Sequence, residues 1–412
     1  MSFSQKILDL SDRADAALRD TYARIDRKAQ INQNRVMEAF RRHRVSDAYF
    51  GGTTGYGYGD AGRDAFDAIV AEAFGCEAAV ARIQFVSGTH ALTVALFGVL
   101  RPGDEMIYVT GGPYDTLEEV IGLSGEGQGS LREFGVRYSQ IELKDGKIDY
   151  PALEEALRRA PKLICAQRSR GYSTRLPLWA NELDELYSFI KEKSPSTLLM
   201  VDNCYGEFVD THEPRADLLV GSFIKNPGGG LAPTGGYIAG TKACVDKAAC
   251  RLTVPGCGAE VGPSLGLTRT LLQGFFLAPH TVAQALKTAA FAAWVLREGG
   301  FEVLPGPEDD RQDIVQSIAF GDPEKLTRFC EGLQAGSPVD AFARPEPCDM
   351  PGYEDPVIMA AGAFVQGASI ELSADAPIRP PYMLYLQGGL TLEAGRYGIL
   401  SALSALLGEK EE

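Results

Sequence analysis

Asp202 closes the short apolar run Thr197–Val201, and Lys225 follows a second run, Leu218–Ser222, by three residues. A glycine cluster, Gly228, Gly229 and Gly230, comes next, and then a third run, Tyr237–Ala239. Brief apolar runs bounded by breakers are what the buried strands of an α/β sheet look like, with polar chemistry at their carboxyl ends. An acid and an amine delivered to one sheet end suit a cofactor that needs both. The pyridine nitrogen of pyridoxal phosphate (PLP) takes a carboxylate, and its aldehyde takes a lysine as a Schiff base. Plainer readings exist, since Asp often caps a strand end and a solvated lysine after a strand is common. Lys225 gains weight because VGSFIK ends where Asp202 does, and the glycines after it would let backbone close around a bulky ligand.

Other residues complete such a site. Phe85-Val86-Ser87-Gly88-Thr89-His90 reads as a strand, a polar turn and a helix start, whose free N–H groups form an anion site for a phosphate. An ordinary Ser/Thr helix cap accounts for the same residues. Ser222, Tyr56, Tyr58 and Arg63 are further phosphate donors by position. Tyr114, in TGGPYDT, is placed to stack on a ring or simply to pack against the sheet edge. A substrate carboxylate needs a forked donor. Arg379 stands between Pro377 and Pro380-Pro381, and QRSRGYSTR offers Arg168, Arg170 and Arg175, which are also what a solvated loop would carry.

The elements that must position these residues alternate regularly. Residues 4–44 read as a helical arm, free to lie on the body or to cross to another subunit. Strands are expected at Arg82–Val86, Glu105–Val109, Val136–Glu142 and Leu163–Ala166, and with the three runs above they make about seven. Helices are expected between them, at Arg63–Phe74, Gly88–Leu100, Tyr114–Ile121, Tyr150–Arg159 and Leu178–Glu192. Gly57, Gly59 and Gly62 match G-x-G-x-x-G, but no strand precedes them, so a nicotinamide enzyme is a minor alternative. Pro255–Thr268 reads as loop and His280–Glu298 as a long linking helix. Short strands at Phe301–Leu304, Ile314–Phe320, Val357–Ala360, Ser369–Leu372 and Tyr382–Leu386, with helices at Pro323–Leu333 and Leu392–Leu407, make a smaller α+β domain. The division is thus 1–50 for the arm, 51–280 for a large cofactor-binding domain, and 281–412 for the linking helix and small domain.

Composition excludes several classes. The 412 residues carry a formal charge of −15, which argues against a nucleic-acid surface. Eight cysteines without a CxxC pair and four scattered histidines suggest neither a disulfide scaffold nor a metal centre. No signal peptide or membrane-length apolar run is read, so a cytoplasmic location is expected.

As a linked set, TTGYGYGDAGRD, FVSGTHALTVALFGVLRPGDE, AQRSRGYSTR, MVDNCYGEF, GSFIKNPGGGLAPTGGYIAG and PIRPPYMLYLQGGL span most of positions 50–400. Together they resemble the fold-type I PLP enzymes of cysteine and methionine metabolism. The chain is most similar to their methionine γ-lyase-like branch, labelled aluminium resistance proteins or cystathionine β-lyases. The resemblance implies a mostly parallel seven-stranded α/β large domain, a smaller α+β carboxyl-terminal domain, and active sites at a dimer interface, often within a tetramer. It implies Lys225 as the Schiff-base lysine, Asp202 as the ring-nitrogen partner and Tyr114 as the stacking tyrosine. Gly88, Thr89 and Ser222 would hold the phosphate, and Arg379 the substrate carboxylate. Tyr56, Tyr58 and Arg63 loosely match a Tyr-x-Arg pair that reaches the neighbouring subunit's phosphate. The chain departs from the wider family at Ile224, where a hydroxyl residue is usual, in QRSRGYS, where a Pro-x-Asn-Pro-like loop is usual, and at Cys204, where threonine follows Asp-Asn.

The expected activity is PLP-dependent β- or γ-elimination on a small sulfur-containing amino acid such as cystathionine, cysteine or methionine. Lys225 would take the α-proton, and Tyr114 would protonate the leaving group. Transsulfuration, β-replacement, aminotransfer, and PLP binding without catalysis stand as alternatives.

Overall fold

A computed structural model describes residues 3–173, 175–349 and 355–408. The chain opens with α1 (Gln5–Arg42), capped by Ser4, whose hydroxyl accepts from the Ile7 amide. Then follow α2 (Ala61–Ala73), β1 (Ala78–Arg82), α3 (Gly88–Val99), β2 (Glu105–Tyr108), α4 (Asp115–Ile121), β3 (Arg137–Gln140), α5 (Tyr150–Leu157) and β4 (Leu163–Gln167). Next come α6 (Ala180–Lys193), β5 (Leu198–Asp202), β6 (Leu218–Ser222), β7 (Gly236–Gly240), α7 (Lys242–Leu252) and α8 (Thr268–Glu298). The last part holds β8 (Glu302–Leu304), β9 (Gln316–Ala319), α9 (Pro323–Ala335), β10 (Val357–Ala361), β11 (Ser373–Pro377), β12 (Met383–Gln387) and α10 (Leu392–Leu407).

Seven strands form the large sheet in the order β1-β7-β6-β5-β4-β2-β3. Only β7 runs against its neighbours. The short runs that end at Asp202 and Ser222 are buried on both faces, which is why they carry no polar alternation. A second, five-stranded antiparallel sheet, β10-β11-β12-β9-β8, forms the smaller layer with α9 and α10.

The arm lies along this chain's own body. Its buried positions, among them Ile7, Ser11, Ala14, Leu18, Thr21 and Ile25, recur every three or four residues and pack on α8. Ile7, Ala14 and Leu18 join the core of the smaller layer, while Ile25, Val36 and Ala39 join that of the large sheet.

Three expected elements shift. The first strand is Ala78–Arg82 and not Arg82–Val86. Arg82 pairs with Gly236 at the strand's end, and Phe85 is buried by tertiary packing in a turn, which a local reading takes for a strand. Residues 369–372 are a turn before β11: Glu371 turns its carboxylate back to accept from the Phe364 and Val365 amides. The long helix starts at Thr268, with Pro279 inside it. The glycines after Lys225 also have a packing task. A Cβ on Gly228 would lie 1.7 Å from the Phe223 carbonyl oxygen, and one on Gly229 would lie 2.2 Å from that of Gly274 in α8. They let this turn pack backbone to backbone against α8. Among the described residues no helix is long and apolar enough to cross a membrane, and no group of His, Cys, Asp and Glu is placed to hold a metal.

Candidate active site

Register brings the candidate residues to one edge. The Cα of Asp202 pairs with Gln167 on one side and Val220 on the other, and Ser222 pairs with Gly236, which pairs with Arg82. The carboxyl ends of β1, β4, β5 and β6 therefore form one row, the position where open α/β sheets bind ligands. Asp202, Ser222 and the turn before α3 all stand on it, and Lys225 follows β6 directly.

Asp202 is buried, and burial pushes its carboxyl up; the Lys225 ammonium, the Cys204 amide at 3.1 Å and Arg175 pull the other way. Burial works against the Lys225 ammonium too. The neighbouring Cys204, Tyr205 and Asp202 outweigh it and hold the amine above the ordinary lysine range. The Lys225 Nζ sits 4.0 Å from the centre of the Tyr205 ring, a cation–π contact. Tyr205 adopts a φ of 71°, left-handed backbone that a bulky residue holds only where its surroundings enforce it. Its carbonyl accepts from the Ile314 amide at 3.3 Å, which ties it to the segment before β9.

At the turn before α3, Ser87 accepts from the His90 amide at 3.0 Å and leaves the Gly88 and Thr89 N–H groups at the positive end of a twelve-residue helix. A Cβ on Gly88 would fall 3.4 Å from Cys204 Sγ and Ser222 Cβ, so the three residues meet beneath this turn. Thr89 shares a 2.7 Å hydrogen bond with Thr116. The Ser222 hydroxyl is buried and donates to the Gly235 carbonyl at 3.3 Å.

Tyr114 caps α4 and meets Tyr172 edge-on at 6.3 Å, and Tyr172 stacks on Tyr385 at 5.0 Å. Tyr114, Arg170, Tyr172, Arg175 and Arg379 line a cavity of about 350 Å³. Arg379 stands half-exposed and pairs with Asp355 at 2.9 Å. Arg175 donates to the carbonyls of Gln167, at 2.8 Å, and Ser169, and burial pulls its guanidinium down to about 10.

Two candidates occupy other surroundings. Arg168 lies wholly inside, where Nη1 donates to Asn203 Oδ1 at 2.8 Å and to Glu213 Oε2 at 3.1 Å. It is absent from the cavity's lining. An arginine beside the same strand end as Arg170 looks equivalent in sequence, but its partners are Asn203 and Glu213, whereas those of Arg170 are Leu304 and Ser317. Arg63 is also buried, and its Nη1 donates to the carbonyls of Gly57 at 2.7 Å and Gly262 at 2.9 Å. It fastens the loop that displays Tyr56 and Tyr58, stacked on each other and 75% and 63% exposed.

Sequence reasoning gave Tyr205 and Cys204 no role of their own and passed over Glu207 and Asp375. Asp375, on β11, accepts from Gln387 at 2.8 Å; burial pushes its carboxyl up, and Tyr172, Gln387 and the Lys225 charge pull the other way. Cys204 and Tyr205 follow Asp202 directly in MVDNCYGEF; Asp375 and Glu207 carried no signal. Glu207 is fully buried, accepts from the Tyr237 hydroxyl at 2.9 Å, and burial raises its carboxyl to about 8. Its folded value exceeds the unfolded one, so its contribution to stability is complete below about pH 4.5 and is lost as pH rises toward about 8. Glu207→Gln should therefore flatten the fall in stability between pH 6 and 8.5, measured by urea unfolding at several pH values. An unchanged slope would show that the acid is ionised in the fold.

The donor set fits PLP. A buried carboxylate faces a lysine amine, N–H groups lie open at a helix start, and a tyrosine ring stands at the rim. A solved carbon–sulfur lyase involved in aluminum resistance from Clostridium novyi is 48% identical, with 98% of this chain and 96% of that chain covered and a TM-score of 0.94. The uncharacterized protein YnbB of Bacillus subtilis is 50% identical over 398 residues, 95% of this chain and 94% of that protein. The pyridoxal-5'-phosphate dependent protein YhfS from Escherichia coli shares the fold, with a TM-score of 0.62 at 17% identity, and covers 94% of this chain and 97% of that one. The methionine gamma-lyase family model matches residues 7–407, so the chain belongs to the methionine gamma-lyase family.

Proposed function

We propose that this protein is a PLP-dependent carbon–sulfur lyase that eliminates a thiol from a small sulfur-containing amino acid, with Lys225 as its proton-transferring amine. The observation that carries this reading is the placement of Lys225 and Asp202 on one sheet edge, with the Gly88–Thr89 amides at the same edge.

Lys225 would anchor the cofactor, Asp202 would face its ring nitrogen, and the Gly88 and Thr89 amides with Ser222 would hold its phosphate. When bound, PLP supplies an electron sink that makes the α-proton of an amino acid removable. Lys225 Nζ, free as a neutral amine, takes that proton as general base. Cation–π contact with Tyr205 and the Asp202 charge keep the amine in place and ready to hold the proton. The carbon–sulfur bond then breaks, sulfur leaves with the bonding pair, and Tyr114 gives it a proton to form the thiol. The remaining enamine hydrolyses to a keto acid and ammonia. Arg379, with Arg170 and Arg175, makes the cavity attractive to the substrate's acid group.

A homodimer, or a tetramer of two, is part of the reading. Tyr56, Tyr58 and the 76% exposed Val86, which adjoins the proposed phosphate turn, are apolar surface that a second subunit would cover. A cytoplasmic location is proposed with it. The large domain is proposed to run from 51 to 280, with the helical arm before it and the small domain after it.

The test is a product profile. Purified protein with PLP should release keto acid and thiol in equal amounts from cystathionine, and keto acid and hydrogen sulfide from cysteine; γ-elimination from methionine would give methanethiol. If aminotransfer occurs and neither thiol nor sulfide appears with any of these, the lyase reading fails.

A further inference from the structure

Arg311 is a charge without a visible reason. It is 4% exposed, and none of its three guanidinium nitrogens has a hydrogen-bond partner among the described residues. Arg170, 1% exposed, lies close enough for the two charges to repel; its Nη1 donates to the Leu304 carbonyl and to the Ser317 hydroxyl, both at 3.0 Å, while Nε and Nη2 are unpartnered. The single buried acid beside them is Asp313, 4.0 Å from Arg170 Nε. Asp313 already accepts from the Ser169 hydroxyl at 2.7 Å, the Arg170 amide at 3.4 Å and the Val315 amide at 3.0 Å. Asp309, exposed, also attracts Arg311, and the half-buried Arg175 stands near Arg170 and Asp313; among the fully buried groups, two guanidiniums and one carboxylate leave a net charge of +1. Burying an unmatched charge is strongly unfavourable, and a chain keeps one where something else matches it.

The location says what that is. Arg170 lines the cavity of Tyr114 and Arg379. The segment that carries Arg311 reaches Tyr205 through the Ile314 amide, and the Tyr205 ring carries the Lys225 ammonium. Arg170 thus belongs to the cavity, and Arg311, whose charge bears on Arg170, stands three residues before the amide that holds Tyr205. Arg168 also has two unpartnered nitrogens, but Glu213 at 3.1 Å matches its charge.

We propose that Arg311 and Arg170 form a carboxylate-binding pair that holds an acid group of the substrate, deepening and resting on the lyase reading above. The forked guanidinium presents paired N–H donors to two coplanar oxygens. A site so enclosed, with a surplus of one positive charge, suits a small group of one negative charge, and not a phosphate. The residue is a positioning residue for the acid group and takes no part in bond breaking.

Thermal unfolding of the PLP-loaded protein tests this with propionate, which cannot react, and propionamide, its neutral counterpart. At ten times its dissociation constant propionate should raise the wild-type Tm by about 1–3 °C, and propionamide should not. Arg311→Met should match or exceed the wild-type Tm without ligand and lose the propionate response. Its KM for a cleaved amino acid should rise by about 10–100-fold, with a smaller change in kcat. Arg311→Lys keeps the charge without the fork and should show a weakened response at wild-type stability. Cystathionine and S-methylcysteine separate the two sources of the acid group: an equal rise in KM assigns the pair to the α-carboxylate, and a rise for cystathionine alone assigns it to the distal one. A lower ligand-free Tm or failed folding of Arg311→Met, or a propionate response that survives in it, overturns the proposal. Absence of thiol release with an intact propionate response would sink only the lyase reading.

Discussion

Lys225→Ala is expected to lower keto acid release by about 10²–10⁴-fold, the range for loss of a positioned proton-transfer group. The fold should persist, because Lys225 is only half-buried and β6 is held by backbone bonds to β5 and β7. The far-ultraviolet circular dichroism should match the wild type. Borohydride reduction gives an independent reading. Wild-type protein should retain the cofactor's mass on a peptide containing Lys225, and the variant should retain none. A variant that turns over within a few-fold of wild type would remove Lys225 from the chemistry, whatever the fold.

The largest effect on stability is expected at Arg168. Its guanidinium lies wholly inside, and Glu213, equally buried, takes Nη1 at 3.1 Å. Arg168→Ala leaves the Glu213 carboxylate with the Phe208 amide at 2.8 Å, the Asn203 amide group at 2.9 Å and the more distant Arg35 at 3.6 Å. Removing one member of a buried pair costs about 3–5 kcal/mol. Denaturant unfolding should show a loss of that size, and Arg168→Met combined with Glu213→Gln should recover much of it, since no unmatched charge remains. A loss below about 1 kcal/mol would mean that water or Arg35 matches Glu213 unaided. The opposite sign expected for Arg311→Met follows from the same rule: one arginine has its counter-charge inside the protein, and the other would receive it from the substrate.

Chemistry was more legible than context. Asp202 and Lys225 could be read because strand ends are local: short apolar runs stop there, and parallel neighbours deliver their ends to one edge. The turn proposed to hold a phosphate was legible for the same reason, as glycine and hydroxyls at a helix start. Arg168 and Arg170 show the limit. They are two residues apart in QRSRGYSTR and chemically identical, yet one is locked to Glu213, 45 positions away, and the other lines the cavity. Phe85 shows it too, since a buried aromatic in a turn has the local signature of a strand.

The sequence by itself determined the succession of strands and helices, the acid, the amine and the helix start at the sheet's edge, because each depends on neighbours within a few residues. Tertiary structure alone decided that the arm lies along α8, that the glycines after Lys225 meet Gly274, that Tyr205 sits beneath the amine, and which arginine keeps a partner. Those outcomes depend on surfaces brought together from twenty or more residues apart, and no local pattern of hydrophobicity or charge encodes which surface will arrive.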